Sequence, residues 1–291
     1  MIFRFSFFIS CLIIFSLNIQ IMDAQHKAAY QLFDIDGNAV EYDDLLKSAA
    51  EADVIFFGEF HDNPICHWLQ YELLTDLFNE FGERLVFGGE FFEADDQMKI
   101  DEYFADIVSQ NNFENEARFW NNYKTDYKRM VEFAKSNGIP FVATNVPRRY
   151  ANLVFRQGVD ALDQLSEEAF SYMADIPFEV DFELRSYQMM MEMAHGERAK
   201  NFVYAQAIKD VTMAHFINEN LNEDQVFYHI NGTFHTKYDE GIIWYLKRMR
   251  PELNILNIGS ILVSDASEWD DENQGFADFI LAIPENMSRS Y

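Results

Sequence analysis

The run Val54-Ile55-Phe56-Phe57 contains no polar residue and ends at Gly58. A strand covered on one face alternates apolar and polar side chains. An unbroken apolar run belongs to a strand buried on both faces, inside a parallel sheet with helices on either side. After the glycine come Glu59, His61, Asp62, Asn63 and Pro64, so the strand hands over a carboxylate and an imidazole before the next helix begins. The pattern returns where Val226-Phe227-Tyr228-His229-Ile230 runs into Asn231-Gly232-Thr233-Phe234-His235. Both stretches read as a strand followed by Gly-x-x-His. In an open α/β sheet, ligands bind beyond the carboxyl ends of the strands, so two strand ends far apart in sequence can serve one site. A single Gly-x-x-His usually marks a histidine that satisfies a local hydrogen bond. Two copies, the first with an acid, point to chemistry.

The rest of the chain supplies the sheet. Tyr30 to Phe33 followed by Asp36-Gly37-Asn38 predicts a strand and a tight turn, and Val40 to Ala52 a helix leading into the first central strand. Asp62 or Asn63 can cap the next helix, with Pro64 at its first position and Trp68, Leu69, Leu73, Leu74 and Leu77 on its inner face. Leu85 to Gly89 predicts a second central strand, and Glu90 follows its glycines as Glu59 follows Gly58. Asp95 to about Asn137 reads as two or three helices; Ile139 to Thr144 is another strand, followed by Arg148 and Arg149. Ala151 to Gln206 is helical with a break near Pro177, and Ala205 to Leu221 is a long helix that leads to the strand ending at His235. A further helix spans Gly241 to Arg250, and strands cover Asn254 to Ile258 and Phe276 to Ile283. The fold class is therefore α/β, a mostly parallel sheet with flanking helices and a helical insert, at about residues 95–200, over its carboxyl edge.

The chain has 291 residues and is 49% hydrophobic, enough for one large core with an insert. Its net charge is −27 and no basic run occurs, which argues against nucleic-acid binding. A ligand carrying carboxylates would have to be captured by locally placed cations. Met1 to about Ala24 carries Arg4, then the apolar run Phe5 to Leu17, then a more polar end, and resembles a secretory signal peptide rather than a spanning helix. A single domain is expected over residues 25–291. Phe8-Ile9-Ser10-Cys11 loosely resembles a lipoprotein cleavage site, although apolar residues continue past Cys11. Cys66 is then the only cysteine of the exported chain, which leaves no intramolecular disulfide, and it reads as a small core residue.

Two chemistries fit the strand ends. His61, His235 and one glutamate can ligate a divalent metal such as zinc, with the other of Glu59 and Glu90 as general base and Arg148 holding an oxyanion or a carboxylate. The same acids can instead pair with Arg148 and Arg149 as a buried structural network. Haem would use the crevice differently, through an apolar aromatic slot, an axial Tyr, His or Met, and cations for its propionates. Phe92, Trp120, Tyr123, Tyr127, Tyr187, the methionines at 189–191 and 193, and His195 could furnish such a slot. A methionine cluster at helical spacing is ordinarily adaptable core.

In order along the chain, Phe57-Gly58-Glu59-Phe60-His61-Asp62-Asn63-Pro64, Gly89-Glu90, Asn145-Val146-Pro147-Arg148, Ala205-Gln206-Ala207 with Asp210 and Met213-Ala214, and Asn231-Gly232-Thr233-Phe234-His235 resemble the ChaN-like haem-binding uptake family of the Tiki superfamily. The resemblance runs from about residue 50 to 260. It implies an α/β core with a helical insert, export to the periplasm or cell envelope, and a role in haem or iron acquisition. Lipid anchoring, peripheral association with the outer membrane and a homodimer come with it. It also implies the alternative of a metal-dependent hydrolase, since Gly58 to His61, Glu90 and Gly232 to His235 match the superfamily's protease signature. Tyr187, His195 and Tyr204 are its haem-ligand candidates here. A third reading is an envelope interaction module whose polar strand ends are purely structural.

Overall fold

The computed structural model describes residues 27–291; the expected signal peptide and Cys11 lie outside them. Strands β1 (Gln31–Asp34), β2 (Ala39–Val40), β3 (Val54–Glu59), β4 (Leu85–Glu93), β5 (Phe141–Asn145), β6 (Val226–Gly232), β7 (Ile255–Val263) and β8 (Phe279–Pro284) form one sheet in the order β2-β1-β8-β7-β3-β6-β4-β5. All pairs from β8 to β5 are parallel, and β1 joins β2 and β8 antiparallel. The connections run from β3 to one side of the sheet, through β4 and β5, and from β6 to the other, through β7 and β8. The neighbours β3 and β6 therefore flank the point at which the strand order reverses, where a crevice opens at the carboxyl edge.

The central strand is fully buried, as its apolar run requires. Ile55 and Phe57 face one layer with Leu69, Leu73, Leu74 and Leu77 of α2 (Pro64–Phe81). Val54 and Phe56 face the other layer, with Val211, Ala214 and Ile217 of α9 (Glu197–Asn220) and Ile242, Ile243 and Leu246 of α10 (Ile242–Met249). Asn63 caps α2, its Oδ1 accepting from the amides of Ile65 at 2.9 Å and Cys66 at 3.4 Å, with Pro64 at the first position. Cys66 is buried in this layer, where burial above all pushes its thiol up to about 12. Trp68 departs from the expected inner face: one position before Leu69, it turns outward and tilts onto Tyr30 at 5.9 Å. Val40, expected in the first helix, belongs to β2 instead. The Asp34 carboxylate gathers the amides of Asp36 and Asn38 and folds the turn into a hairpin, so α1 (Tyr42–Ala49) begins later.

The helical residues expected over about 95–200 fall in two runs on either side of β5. The first holds α3 (Gln97–Phe104), α4 (Gln110–Glu116), a π-helical turn (Tyr123–Tyr127) and α5 (Lys128–Asn137). The second holds α6 (Arg148–Gln157), α7 (Glu167–Phe170) and α8 (Arg185–Met193), and continues into α9. Among the described residues no helix is long and apolar enough to cross a membrane.

Candidate functional site

The parallel register sets Glu59 of β3 beside Gly232 of β6, so the two Gly-x-x-His turns leave the sheet as neighbours. Their glycines interlock. A Cβ on Gly58 would meet Thr233 of the second turn, 2.9 Å from its Cα, and a Cβ on Gly232 would lie 2.9 Å from Cε1 of His61 in the first. Each glycine therefore leaves room for the other copy of the motif. On the far side of β6, strand β4 slips register against β5 between Gly89 and Glu93. A bulge of this kind turns a side chain out of the ladder. Here Glu90 accepts from the Gly232 amide at 2.9 Å, while Asn145 Nδ2 donates to the displaced Glu90 carbonyl at 3.1 Å.

Four carboxylates and three imidazoles then alternate across the carboxyl edge. Asp126 lies 3.6 Å from His67, His67 3.3 Å from Glu59, and Glu59 accepts from His61 Nδ1 at 2.8 Å. His61 Nε2 stands 4.0 Å from Glu90, whose other oxygen is 3.2 Å from His235 Nε2. His235 Nδ1 donates to Asp210, and Tyr187 donates to the second Asp210 oxygen at 2.8 Å. Glu59 accepts as well from Gln70 at 2.7 Å and from Tyr127 at 2.5 Å. The π-helical turn carries Tyr127 to that carboxylate.

Burial alone would discharge Glu59, His61, Glu90 and His235, but the opposite charges outweigh it. Burial raises Glu59, yet the charge of His67 and the hydrogen bond from His61 hold it at about 2. Burial would lower His235, yet Glu90 and Asp210 on its two nitrogens lift it to about 9. His61 is likewise raised, its burial offset by the Glu59 hydrogen bond and the charge of Glu90. Glu90 stays well below its ordinary range, whereas burial pushes Asp210 upward; of the two acids that share His235, Glu90 is the firmer anion.

A cleft of about 410 Å³ opens above this row, lined by His61, Glu90, Phe91, Phe119, Trp120, Asn145, Arg148 and Lys209 among others. Arg148 and Lys209 are shared with an adjoining groove of about 240 Å³ between α6 and α9, walled by Phe155 and Phe202. Among the described residues neither cation has a carboxylate within ion-pair distance. The other cation on the wall, Arg118, is paired with Glu93. Asn145 is buried, and its Oδ1 has no hydrogen-bond partner among the described residues.

The structure thus gathers Glu59, His61, Glu90 and His235 as a contiguous set with Arg148 at the rim. It does not pair the acids with arginine: Arg149 is bound to Asp95 at 2.5 Å, and imidazoles take the place expected for guanidinium groups. The set does not stand ready as a metal centre either. Among the described residues, no group of three or more His, Cys, Asp or Glu side chains is arranged to hold a metal ion. The reason lies in His235, both of whose nitrogens are committed to carboxylates.

The three haem-ligand candidates, Tyr187, His195 and Tyr204, do not line the cleft. Tyr187 is buried and spends its hydroxyl on Asp210. His195 is exposed on the turn between α8 and α9, and Tyr204 packs edge-on against Phe182 at 5.4 Å. Residues that sequence reading left without a role are His67, Gln70, Asp126, Phe119 and Lys209. A usable signal existed for two of them: His67 and Gln70 sit three apart at the start of the helix that follows His61, and so share one face.

The family described as haem-binding uptake, Tiki superfamily, ChaN matches residues 45–246, more than half of the chain. Among solved structures, ChaN of Campylobacter jejuni, described as binding haem cofacially, superposes with a TM-score of 0.65 at 16% identity, covering 87% of this chain and 96% of that one. The likeness is one of fold. An erythromycin esterase, EreC, in its open conformation matches at a TM-score of 0.48 and 9% identity, over 81% of this chain and 77% of that one. No curated protein matches by sequence.

Proposed function

The chain belongs to the haem-binding uptake family of the Tiki superfamily, ChaN, and from that premise we propose that it captures haem in the cleft above the Glu59 to His235 row, for haem or iron uptake. One observation carries the reading. In a protein of net charge −27, two cations with no ion-pair partner among the described residues, Arg148 and Lys209, meet at the shared rim of two aromatic-walled grooves. A flat apolar ring bearing two carboxylates matches that combination: Phe119, Trp120, Phe155 and Phe202 would hold the ring, and Arg148 and Lys209 would take the carboxylates. Haem, when bound, supplies the iron. The protein's part is to orient it and to cover one of its faces.

The test is titration of the purified protein with hemin, followed in the Soret band, for the wild type and for Arg148→Glu with Lys209→Glu. Saturable binding that the double substitution weakens is the expected result; equal affinities would remove the cleft from consideration. Export to the periplasm or cell envelope, a lipid anchor, peripheral outer-membrane association and a homodimer belong to the same proposal. The cofacial haems of the Campylobacter protein motivate the last of these.

A metal-dependent hydrolase is the second reading, favoured by the convergence of Glu59, His61, Glu90 and His235 in one row, of which His61 and Glu90 line the cleft. It requires His235 to release a carboxylate before either nitrogen can meet a cation. Metal content determined on the same preparation, with zinc retained in the wild type and lost in His61→Ala, is what that reading demands.

A further inference from the structure

Lys237 is the only lysine or arginine among the buried charged residues described, with 6% of its surface exposed. A buried ammonium ordinarily carries a carboxylate partner, because its N–H donors are costly to leave unmet once they are taken out of water. Lys237 has none among the described residues. Its Nζ donates to Met189 Sδ at 3.4 Å, a weak acceptor, and lies 3.8 Å from the centre of the Phe234 ring. A second cation stands close by. Arg185, exposed at the start of α8, stacks on Tyr238 at 3.9 Å, and Lys237 Nζ is 5.7 Å from the centre of the same ring. Arg185 likewise has no ion pair among the described residues. Burial above all, and then the charge of Arg185, disfavour the Lys237 ammonium. Glu240 favours it, but that carboxylate is engaged by the amides of Arg185 and Ser186 and by the Ser186 hydroxyl.

The backbone enforces this arrangement. Lys237 opens a 3₁₀ turn in which Tyr238 and Asp239, neither of them glycine, take φ of 63° and 56°. Left-handed conformations at such residues persist only where the surroundings hold them, as at ligand clamps. Here the Tyr238 amide donates to the Phe276 carbonyl at 2.8 Å, and Asp239 is held by Asn257 Nδ2 and by Lys247, each at 3.1 Å.

We propose that Lys237 and Arg185 together bind a small oxyanion group, a carboxylate or a phosphate. Neither residue lines the cleft or its adjoining groove, so the site is independent of the haem reading. Met189 follows Arg185 by four positions on α8, which sets both on one face of the helix, a turn apart. Its thioether fills the place beside the ammonium that an anionic oxygen would take. Met189 is half-buried, and its unbranched side chain can swing aside. An oxygen in that place gives Lys237 Nζ a charge-assisted hydrogen bond, while the Arg185 fork takes a second oxygen of the same group. Phe234 and Tyr238 wall the site, and a low local dielectric strengthens both contacts.

The experiment titrates the purified full chain with inorganic phosphate and, separately, with acetate, at an ionic strength held constant with sodium chloride. Heats of binding and urea unfolding midpoints are read for each variant. The wild type should bind at least one of the two anions saturably at a single site, and the one it takes identifies the group. Lys237→Met and Arg185→Gln should each weaken that binding at least tenfold. Without the anion, Lys237→Met should be at least as stable as the wild type, because an apolar chain replaces an unpaired buried charge. With the anion present, the wild type should gain stability and Lys237→Met should not. No saturable binding of either anion, or binding that Lys237→Met leaves intact, would overturn the assignment. Binding lost in Arg148→Glu with Lys209→Glu but kept in Lys237→Met would move the anion to the cleft. A Lys237→Met protein destabilised in the absence of anion would show that the fold itself needs the ammonium, and would sink the proposal as well.

Discussion

His61 lies directly against Gly232: a methyl group on that glycine would sit 2.9 Å from Cε1 and 3.0 Å from Nε2 of the imidazole. The repeated Gly-x-x-His is therefore a packing device as well as a supplier of side chains. Gly232→Ala should push the ring toward the cleft and cost roughly 1–3 kcal/mol, the usual range for an overpacked core site. Gly58→Ala should cost more, because its Cβ would meet backbone, with Thr233 Cα at 2.9 Å and Ile258 O at 3.1 Å, and backbone cannot swing aside. Urea unfolding of the two variants gives the ranking; an alanine at 58 tolerated better than one at 232 would contradict it.

The sheet ends at β5, and an open edge invites pairing with another chain. Gln97 covers it. Its Nε2 donates to the Phe141 carbonyl at 2.9 Å and its Oε1 accepts from the Ala143 amide at 2.7 Å, so one side chain bonds the edge as a peptide unit would. Gln97→Ala should cost about 1 kcal/mol and increase self-association, read by light scattering at rising concentration. Gln97→Glu keeps the acceptor for Ala143 but turns a second acceptor on Phe141, and should destabilise at least as much. A Gln97→Ala protein as stable and as monodisperse as the wild type would show that the edge needs no cover.

Stability should peak near the ordinary histidine pKa, because buried histidines titrate in opposite directions. Burial, first of all, lowers His229 to about 4; its Nδ1 lies 3.1 Å from Asn231 Oδ1 and its Nε2 2.7 Å from the Thr144 hydroxyl, an arrangement for a neutral ring. A histidine depressed in the fold binds its proton more readily when unfolded. Its contribution, roughly 3 kcal/mol, is complete above about pH 6.5 and is lost as pH falls toward 4. His235 runs the other way: raised to about 9, it contributes fully below 6.5 and loses its contribution as pH rises toward 9. Glu59, held at about 2, adds a further loss only below its ordinary value of 4.5. Unfolding free energies at about pH 5, 6.5 and 9 should be highest at the middle value. In His229→Gln the acid limb should flatten while the alkaline limb stays; a variant with the wild-type acid limb would mean that His229 does not cause it.

How much of this was legible follows from how local each cause is. Val54 to Phe57 identifies a doubly buried strand because both faces meet helices, and that is written in four consecutive residues. Glu59, His61, Glu90 and His235 can be found because each follows a glycine that closes an apolar run. Their use of one another cannot. That His235 is held between Glu90 and Asp210 depends on the register of β6 against β4, which joins residues more than a hundred positions apart, and on α9 crossing the sheet, which brings in Asp210 from 25 positions away. Tyr127 reaches Glu59 only because a π-helical turn departs from the ordinary helical period, so no count of helical spacing would find it. Trp68 departs from the inner face expected of a large apolar residue for a simpler reason: it finds its cover in Tyr30.

Glu240 links the start of α8 to the site. Glu240, in the loop after β6, accepts from the amides of Arg185 and Ser186 at 2.7 Å each and from the Ser186 hydroxyl at 2.5 Å, and so caps α8 from another part of the chain. The first amides of a helix have no partner within it, and a carboxylate there satisfies them and the helix dipole together. α8 carries Tyr187, which binds Asp210, which binds His235. Glu240→Ala should therefore cost about 0.5–2 kcal/mol, the range for a lost cap. It should also loosen the support of His235. Glu240→Gln, which keeps one oxygen acceptor, should lose less. Hydrogen exchange at the amides of residues 185–188 reads the first effect, and the imidazole resonances of His235 the second. Faster exchange in α8 with an unmoved His235 would confine Glu240 to the helix and break the proposed link through Tyr187.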